Sequence, residues 1–319
     1  MEFLKVVKPG LFTTVQDLGR EGYQEYGIVA AGAMDSFSLQ VGNILVGNKE
    51  GEAGLEITLL GPELHIVNDG VIAICGANLS PSINGEPVPI WKAIKVKKGQ
   101  FLTFGERKTG ARAYLTIAGG IDVEPVFGSK STYVKGGMGG YQGRPLQKGD
   151  LLKKGKDSFE DKGKYIGRAL STKYTPRYGG TKTLRVIPGP DIGSFTEEAL
   201  MSFFSSTYDI SREADRMGYR LNGKKLTHKR NADIISDAIS FGAIQVPANG
   251  QPIILMADRQ TTGGYARIGA VISVDLPLLG QLIPGQSVTF QKISIEKAQE
   301  LYRKKQKWFR YFKLETRNV

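Results

Sequence analysis

The segment 256–265, with sequence MADRQTTGGY, holds side chains suited to binding a small polar ligand. It follows residues 251–255, an apolar run that we predict to be a buried strand, and a strand end is a rigid platform for a site. Arg259 can donate paired hydrogen bonds to a carboxylate or phosphate. Gln260 can donate to a carbonyl and accept from an amide N–H, which suits a lactam or urea-like group. Asp258 can hold Arg259 or act as a base.

Two interpretations of this segment remain open from the residues alone. In the first, Gly263 and Gly264 let the backbone approach a ligand closely, and the polar side chains surround that ligand. In the second, Asp258 and Arg259 form an ordinary ion pair and the glycines serve a turn. The residues therefore predict no more than a surface that recognises a carboxylate or an amide.

Two further polar clusters lie in glycine-containing segments, at 16–23 (QDLGREGY) and 211–221 (SREADRMGYRL). Asp17 and Arg20 of the first cluster can bind a ligand or pair with each other across a glycine turn. The arginines of the second cluster can bind an anion or form a structural salt-bridge network on a β-turn surface.

Several kinds of catalytic site are absent from the sequence. There is no G-x-x-x-x-G-K-[ST] loop for a nucleotide, and residues 128–132 (GSKST) are interpreted as a Ser/Thr-rich turn. No G-x-S-x-G motif occurs, and the two histidines, His65 and His228, lie far apart. The single cysteine, Cys75, lies in an apolar run and cannot form a disulfide within the chain. We therefore expect no metal site.

The net charge of +12 is confined to two segments. Residues 148–185 carry eleven basic and four acidic side chains, and residues 292–319 carry nine basic and three acidic ones, so the rest of the chain is near −1. A nucleic-acid site would need a basic groove with interleaved aromatic residues. We predict solvated flexible segments, or failing that partner docking, and no nucleic-acid partner.

The 41 glycines and 14 prolines are spread along the chain and favour many short strands in a mainly β protein. Strands are predicted at 55–60, 63–67, 71–75, 93–96, 100–104 and 113–117. Helices are predicted at 36–46 after Asp35 as N-cap, at about 196–204, and after Ser294 with an apolar face made by Ala298, Leu301, Tyr302, Trp308 and Phe309. The start of the chain lacks a basic stretch before an apolar run, and no apolar run is long enough to span a membrane, so a cytoplasmic location is expected.

Residues 153–181 are rich in Lys, Gly, Ser and Thr and are predicted to separate two domains. The predicted divisions are an N-terminal β subdomain at 1–165, a C-terminal subdomain at 180–292, and a basic helix or tail at 293–319. Both subdomains are expected to be β-barrel-like, with a few short helices.

At these motifs the sequence resembles the allophanate-hydrolase-subunit-2-like, biotin-dependent carboxyltransferase family. That family includes the C subunit of 5-oxoprolinase and a Kip-type antagonist of a sporulation-kinase inhibitor. The matching stretches are QDLGREGYQ (16–24), GAMDSFS (32–38), YLTIAGGIDV (114–123), VFGSKSTY (126–133), GGYQGRPLQKGD (139–150), SREADRMGYRL (211–221), QPIILMADRQTTGGY (251–265) and LGQLIPGQ (279–286). The resemblance implies a cyclophilin-like C-terminal subdomain.

The resemblance also implies a set of site residues, carried over position by position. We expect Asp258 and Arg259 to be catalytic. We expect the remaining members to bind substrate: Gln260, Thr261, Tyr265, Arg212, Arg216, Tyr219, Asp17, Arg20 and Tyr23.

The activity implied is that of an ATP-dependent 5-oxoprolinase, which opens 5-oxoproline to L-glutamate together with partner subunits A and B. Because the chain has no nucleotide motif, ATP is expected on a partner subunit or shared with it. No Met-Lys biotin-attachment pair occurs, so no biotin is expected on this chain. Two alternatives stay open. One is a regulatory protein that binds a Kip-type kinase inhibitor similar to the B subunit. The other is a carboxyltransferase or allophanate-hydrolase component acting on urea derivatives.

Overall fold

A computed structural model describes residues 1–156 and 165–317 of the chain, which fold into two compact units. The first unit comprises Met1–Glu21, Ala31–Tyr178 and Phe312–Val319, and the second comprises Gly22–Ala30 and Gly179–Tyr311. The chain passes between the units at 178–179, inside the predicted boundary segment 153–181, of which residues 157–164 lie outside the described residues. The short segment Gly22–Ala30 belongs to the second unit, although the sequence places it within the N-terminal subdomain.

The described residues of the first unit form eleven strands in two sheets. The strands are β1 (Glu2–Lys8), β2 (Phe12–Gln16), β3 (Gly54–Thr58), β4 (Glu63–Ile66), β5 (Gly70–Asn78), β6 (Pro81–Ile83), β7 (Glu86–Pro87), β8 (Ala93–Val96), β9 (Phe101–Phe104), β10 (Thr109–Ile117) and β11 (Leu151–Lys153). The six-stranded sheet has the order β11-β1-β4-β9-β6-β7, and the five-stranded sheet has the order β2-β3-β10-β5-β8. Side chains from both sheets form one apolar core, which includes Phe3, Leu64, Ile72 and Leu115.

Helix α1 (Ser36–Leu45) lies against β5 and β10 of the first unit. Its N-cap is Asp35, whose carboxylate accepts a hydrogen bond from the Ser38 N–H at 2.9 Å, as the sequence predicts. The Tyr114 hydroxyl donates to Glu56 at 2.7 Å and accepts from the Asp35 N–H at 2.7 Å. Burial raises the pKa of Tyr114 well above its usual value, so this phenol stays protonated and serves as a structural link between the helix and the sheet.

The second unit is built on a closed seven-stranded barrel. The strands of this unit are β12 (Lys182–Pro188), β13 (Tyr208–Ile210), β14 (Gly218–Asn222), β15 (Asp233–Ala238), β16 (Ala243–Gln245), β17 (Ile253–Leu255), β18 (Thr262–Tyr265), β19 (Arg267–Val271) and β20 (Ser287–Lys292). The barrel order is β12-β19-β16-β17-β14-β13-β20, and β20 pairs in parallel with β12 to close it. Strands β15 and β18 form a separate two-stranded sheet. The mainly β prediction is confirmed.

Helices α2 (Glu197–Ser205) and α3 (Leu276–Leu279) lie within the second unit. The last helix, α4 (Ile295–Arg317), runs for 23 residues and is divided between the two units after Tyr311. The helix predicted after Ser294 is therefore confirmed, whereas the flexible segment that the charge also suggested is wrong for the described residues. No helix in the described parts of the chain is long and apolar enough to cross a membrane.

Candidate functional site

A cavity of about 480 Å³ opens in the second unit beside the barrel. Its walls come from the end of β12 and the turn after it, the loop between β15 and β16, and the middle of β19. Most of the wall is apolar, with Ile187, Pro188, Ile239, Ala243 and Ala270 among the lining residues. Arginine side chains supply the charged part of the lining, and no acidic residue is among the described residues that line it.

Arg259 reaches this cavity from the turn that follows β17. Its Nε donates to the Ile239 carbonyl at 3.1 Å, and its Nη1 donates to the Met256 carbonyl at 3.4 Å. The guanidinium carbon lies 5.6 Å from the centre of the Phe241 ring. Burial lowers the pKa of Arg259 to about 10, so the group is still a cation at neutral pH. Within the described residues it has no carboxylate partner. Its charge is therefore available to an anionic ligand.

Arg267, the other arginine of the cavity, is already neutralised. Its Nε donates to Asp191 at 2.7 Å, and its Nη2 lies 2.9 Å from Asp237. Its Nη1 donates to the Ala238 carbonyl at 3.0 Å. Hydrogen bonding to Asp191 raises the pKa of Arg267 above its usual value. These contacts fix the Arg267 guanidinium in the wall of the cavity. Arg259 is then the lining arginine whose charge can pair with an anionic ligand.

Asp258 does not face Arg259. Its two carboxylate oxygens accept hydrogen bonds from Arg216, at 2.9 Å from Nε and 2.8 Å from Nη2, and both side chains are about nine-tenths buried. The Asp258–Arg259 ion pair, one of the two interpretations that the residues leave open, is therefore not formed. A carboxylate held by both oxygens in a buried bidentate pair is a poor candidate for a base, and Asp258 does not line the cavity. The pair ties the end of β17 to the turn before β14.

The other predicted residues of the second unit lie away from the cavity lining. Gln260 and Arg212 are exposed, and Tyr265 is 41% exposed. Tyr219 is buried, and its hydroxyl donates to the Leu282 carbonyl at 3.3 Å. The Thr261 carbonyl accepts from the Ile239 N–H at 3.0 Å. Of the eleven predicted site residues, Arg259 is the member that the structure brings to this cavity.

Asp17 and Arg20 belong to the first unit, whereas Tyr23 belongs to the second. The Asp17 carboxylate accepts hydrogen bonds from the Ser129 hydroxyl at 2.6 Å, the Lys130 N–H at 2.6 Å and the Gly19 N–H at 2.8 Å. The Ser131 hydroxyl is a further donor to the same carboxylate. Arg20 is 1% exposed, and its Nε donates to the Val126 carbonyl at 3.1 Å. Together these contacts hold the turn at 126–132, which is consistent with the structural interpretation of this cluster.

Sequence reasoning missed three polar residues of the cavity lining, Gln24, Ser240 and Arg267. Gln24 lies in the segment Gly22–Ala30, and its Oε1 accepts from the Gly22 N–H at 3.1 Å. Gly22 and Gly27 have φ values of +84° and +75°, which strain other residue types, so the glycines mark the ends of a turn that carries Gln24. The glycine spacing at 22–27 is the signal that could have singled out this residue.

This arrangement can bind a small anion but offers little chemistry of its own. No His, Cys, Asp or Glu side chain is among the described residues that line the cavity, so a general base would have to come from elsewhere. No group of three or more such side chains in residues 1–156 and 165–317 is placed to hold a metal ion. Fold and site together define a mainly β protein with an anion-receptive cavity in a seven-stranded barrel unit.

The chain belongs to the carboxyltransferase-domain family, whose model (carboxyltransferase domain, subdomain A and B) matches residues 26–292. It is 39% identical over 309 residues to the C subunit of 5-oxoprolinase from Escherichia coli (strain K12), and the match covers 96% of each chain. It is 35% identical over 291 residues to the protein of the same name from Haemophilus influenzae, with 91% of each chain covered. It also resembles the crystal structure of Kluyveromyces lactis urea amidolyase, with a TM-score of 0.91 and 33% identity, over 97% of this chain and 20% of that one.

Proposed function

We propose that this chain is the C subunit of an ATP-dependent 5-oxoprolinase, which opens 5-oxoproline to L-glutamate in a complex with subunits A and B. The observation that carries the proposal is the near full-length similarity to two bacterial proteins of that name. The lack of an acid or base in the cavity lining agrees with a subunit that binds and positions substrate for a partner. The proposal includes a cytoplasmic location.

The cavity fits the chemistry of the proposed substrate. 5-Oxoproline carries one carboxylate on a compact, uncharged lactam ring. Arg259 supplies one cation without a carboxylate partner among the described residues, and apolar side chains such as Ile187 and Ile239 can pack against the ring. Ring opening yields glutamate, which has an additional ammonium and an additional carboxylate. Burying those charges against an apolar wall costs free energy, so the cavity favours substrate over product.

ATP is better accommodated outside this cavity. A lactam is a poor electrophile, and ATP would activate it by phosphorylating its carbonyl oxygen. A nucleotide triphosphate carries several negative charges, and nucleotide sites usually meet them with a cradle of backbone N–H groups and more than one cation or metal. Arg259 alone cannot do so. We therefore place ATP on a partner subunit, or at a site shared with one, and no biotin on this chain.

Reconstitution tests the proposed activity. The chain and subunits A and B from the same organism are purified separately, and glutamate formed from 5-oxoproline and ATP is measured with each subunit omitted in turn. We expect glutamate formation only when all three are present. Full activity without this chain would overturn the proposal.

Calorimetry on the isolated chain tests the cavity. We expect 5-oxoproline to bind more tightly than L-glutamate, and Arg259→Gln to weaken binding by roughly ten- to hundred-fold, the range for losing a hydrogen bond to a charged group. Arg212→Gln is the matched control, because Arg212 is exposed and lies outside the cavity lining. If Arg259→Gln and Arg212→Gln lose affinity equally, 5-oxoproline does not bind in this cavity.

The second candidate is a carboxyltransferase component acting on urea derivatives. It is favoured by the 33% identity to K. lactis urea amidolyase over 97% of this chain. In that case this chain would catalyse transfer of the carboxyl group from carboxybiotin, carried by another polypeptide, to a nitrogen of urea, which releases biotin and forms carboxylated urea. Carboxylation of urea by the chain together with a biotin carboxylase, without any action on 5-oxoproline, would select this candidate.

A further inference from the structure

The exposed side of helix α4 carries a row of three basic side chains, Arg303, Lys307 and Arg310. Their spacing of four and three residues places them in one row along a helix, over about 10 Å at 1.5 Å per residue. Tyr311 lies beside the row, 54% exposed, with the Lys307 ammonium 5.7 Å from its ring centre. We call these four residues the basic stripe. It lies beyond residue 292, where the match to the family model ends.

The other side of α4 is used to attach the helix to its own protein. Ala298, Phe309, Phe312 and Thr316 are at most 8% exposed, and Lys313 pairs with Glu50 at 2.8 Å. Because these buried side chains and the Lys313–Glu50 pair attach the helix, it is held with a fixed side turned to solvent. The basic stripe is thus presented on an anchored helix, and ordering it for a partner requires no folding step.

The charges of the basic stripe are not neutralised within the described residues. Elsewhere on the helix Glu300 pairs with Lys297 at 2.7 Å and with Lys304 at 2.6 Å, and these bonds lower its pKa to about 2. Arg303, Lys307 and Arg310 have no carboxylate within 4.0 Å in the same parts of the chain. Like charges three and four residues apart on a helix destabilise it slightly. An acidic partner would remove that cost and gain the attraction.

We propose that the basic stripe is the docking surface for an acidic face of a partner protein, namely another member of the 5-oxoprolinase complex, and in this respect the inference rests on the proposed function. Arginine and tyrosine are the residues enriched at the centre of protein interfaces. A membrane-binding helix would instead expose a continuous apolar side, whereas here Phe309 and Phe312 are buried and the exposed apolar residues of the helix alternate with charged ones. A nucleic-acid surface would need a longer run of cations than one row of about 10 Å.

Charge reversal tests the docking surface. In one variant, Arg303→Glu, Lys307→Glu and Arg310→Glu are combined. The matched control combines Lys95→Glu, Lys97→Glu and Lys98→Glu, which changes the same amount of charge on exposed residues of the first unit. Association of the full-length chain with purified subunits A and B is measured by calorimetry at low and at physiological salt. We expect the stripe variant to bind at least about ten-fold more weakly and the control to match the wild type.

A second variant, which neutralises the three charges without reversing them, separates loss of charge from misfolding of the helix. Arg303→Gln, Lys307→Gln and Arg310→Gln keep good helix formers and remove only the charge, and we expect them to flatten the salt dependence of association. Equal affinity of the stripe variants and the wild type would overturn the docking proposal and leave the proposed activity standing. The docking proposal would also be overturned if the control variant bound subunits A and B as weakly as the stripe variant does.

Failure of the proposed function gives a different pattern. In that case the wild-type chain would neither bind subunits A and B nor affect glutamate formation. Duplex DNA and vesicles containing anionic lipid are included as separate probes. Binding of the wild type to either of them, lost in the stripe variant but not in the control, would overturn the assignment to a protein partner.

Discussion

At the scale of single residues, Arg259 combines two properties that rarely occur together, partial burial and the lack of a carboxylate partner among the described residues. Its Nε bond to the Ile239 carbonyl orients the guanidinium plane, so the remaining N–H groups are directed as a fork rather than as a freely rotating charge. A buried charge of this kind is a common sign of a functional site, because burial without compensation costs stability. The geometry therefore gives the sequence-based choice of Arg259 a physical reason.

The variant Arg259→Lys distinguishes the effect of paired hydrogen bonds from the effect of positive charge. Lysine keeps the positive charge but cannot bind a carboxylate through two parallel hydrogen bonds or maintain the contact with Ile239. We expect its affinity for 5-oxoproline to fall by about ten-fold, between those of the wild type and Arg259→Gln. Isothermal titration calorimetry of the three proteins measures this order. A lysine variant as tight as the wild type would mean that only the charge matters.

For Asp258 we predict an effect on stability and not on ligand binding. Because it forms a buried bidentate pair with Arg216, Asp258→Ala leaves an unpaired buried cation and should lower the free energy of unfolding by about 3 kcal/mol. The double variant Asp258→Leu with Arg216→Met removes both charges and should recover most of that loss. Urea unfolding of the wild type and these variants measures both effects. A base would behave differently, with activity lost and the free energy of unfolding retained.

The sequence could not identify the Asp258–Arg216 pair, although both residues belong to the predicted set. The partners are 42 positions apart, and their meeting depends on the pairing of β14 with β17, in which Tyr219 lies opposite Ile254. Register of this kind is set by the whole barrel and not by local spacing. Adjacency in sequence suggests Arg259 as the partner of Asp258, but the partner in the structure is Arg216.

At the scale of elements, the sequence predicts the bounds of a strand or helix correctly where a turn or a capping residue marks its end. The strand predicted at 93–96 is β8 itself, and the helix predicted after Asp35 begins at Ser36. The strand predicted at 71–75 is longer, because β5 continues to Asn78 through Gly76, where a glycine in the sequence favours an end. In the final helix Phe309 is buried as predicted but Tyr302 is 48% exposed, since the buried side instead includes Phe312 and Thr316.

The turn at 126–132 is an element whose stability depends on one side chain at the end of β2. Asp17 accepts hydrogen bonds there from the Ser129 hydroxyl and the Lys130 N–H, among others. In Asp17→Asn one acceptor oxygen becomes an amide donor facing donors, so we expect a loss of about 2 kcal/mol in the free energy of unfolding. Thermal unfolding measures it. Activity per folded molecule should stay near that of the wild type, and a selective loss of 5-oxoproline binding would return Asp17 to the substrate site.

At the scale of the whole molecule, the division into units is the feature that sequence reasoning could only approximate. The change of unit at 178–179 falls in a stretch rich in Lys, Gly and Thr, which is a visible signal. The assignment of Gly22–Ala30 to the second unit has no such signal, because a nine-residue segment has no core of its own to reveal where it packs. That segment carries Gln24, so the contribution of Gln24 to the cavity lining could not be predicted from the sequence either.

Under the proposed function, the complex of this chain with subunits A and B should bind its two substrates mainly on different chains, and steady-state kinetics of the reconstituted complex can show this. If the carboxylate of 5-oxoproline binds Arg259 while ATP lies mainly on a partner, Arg259→Gln should raise the KM for 5-oxoproline by roughly ten-fold or more and leave the KM for ATP within about two-fold of the wild type. The exposed Arg212→Gln should change neither value. A parallel rise in both KM values would instead place the phosphates of ATP beside Arg259, and the cavity would then have to be understood as the nucleotide site of the complex.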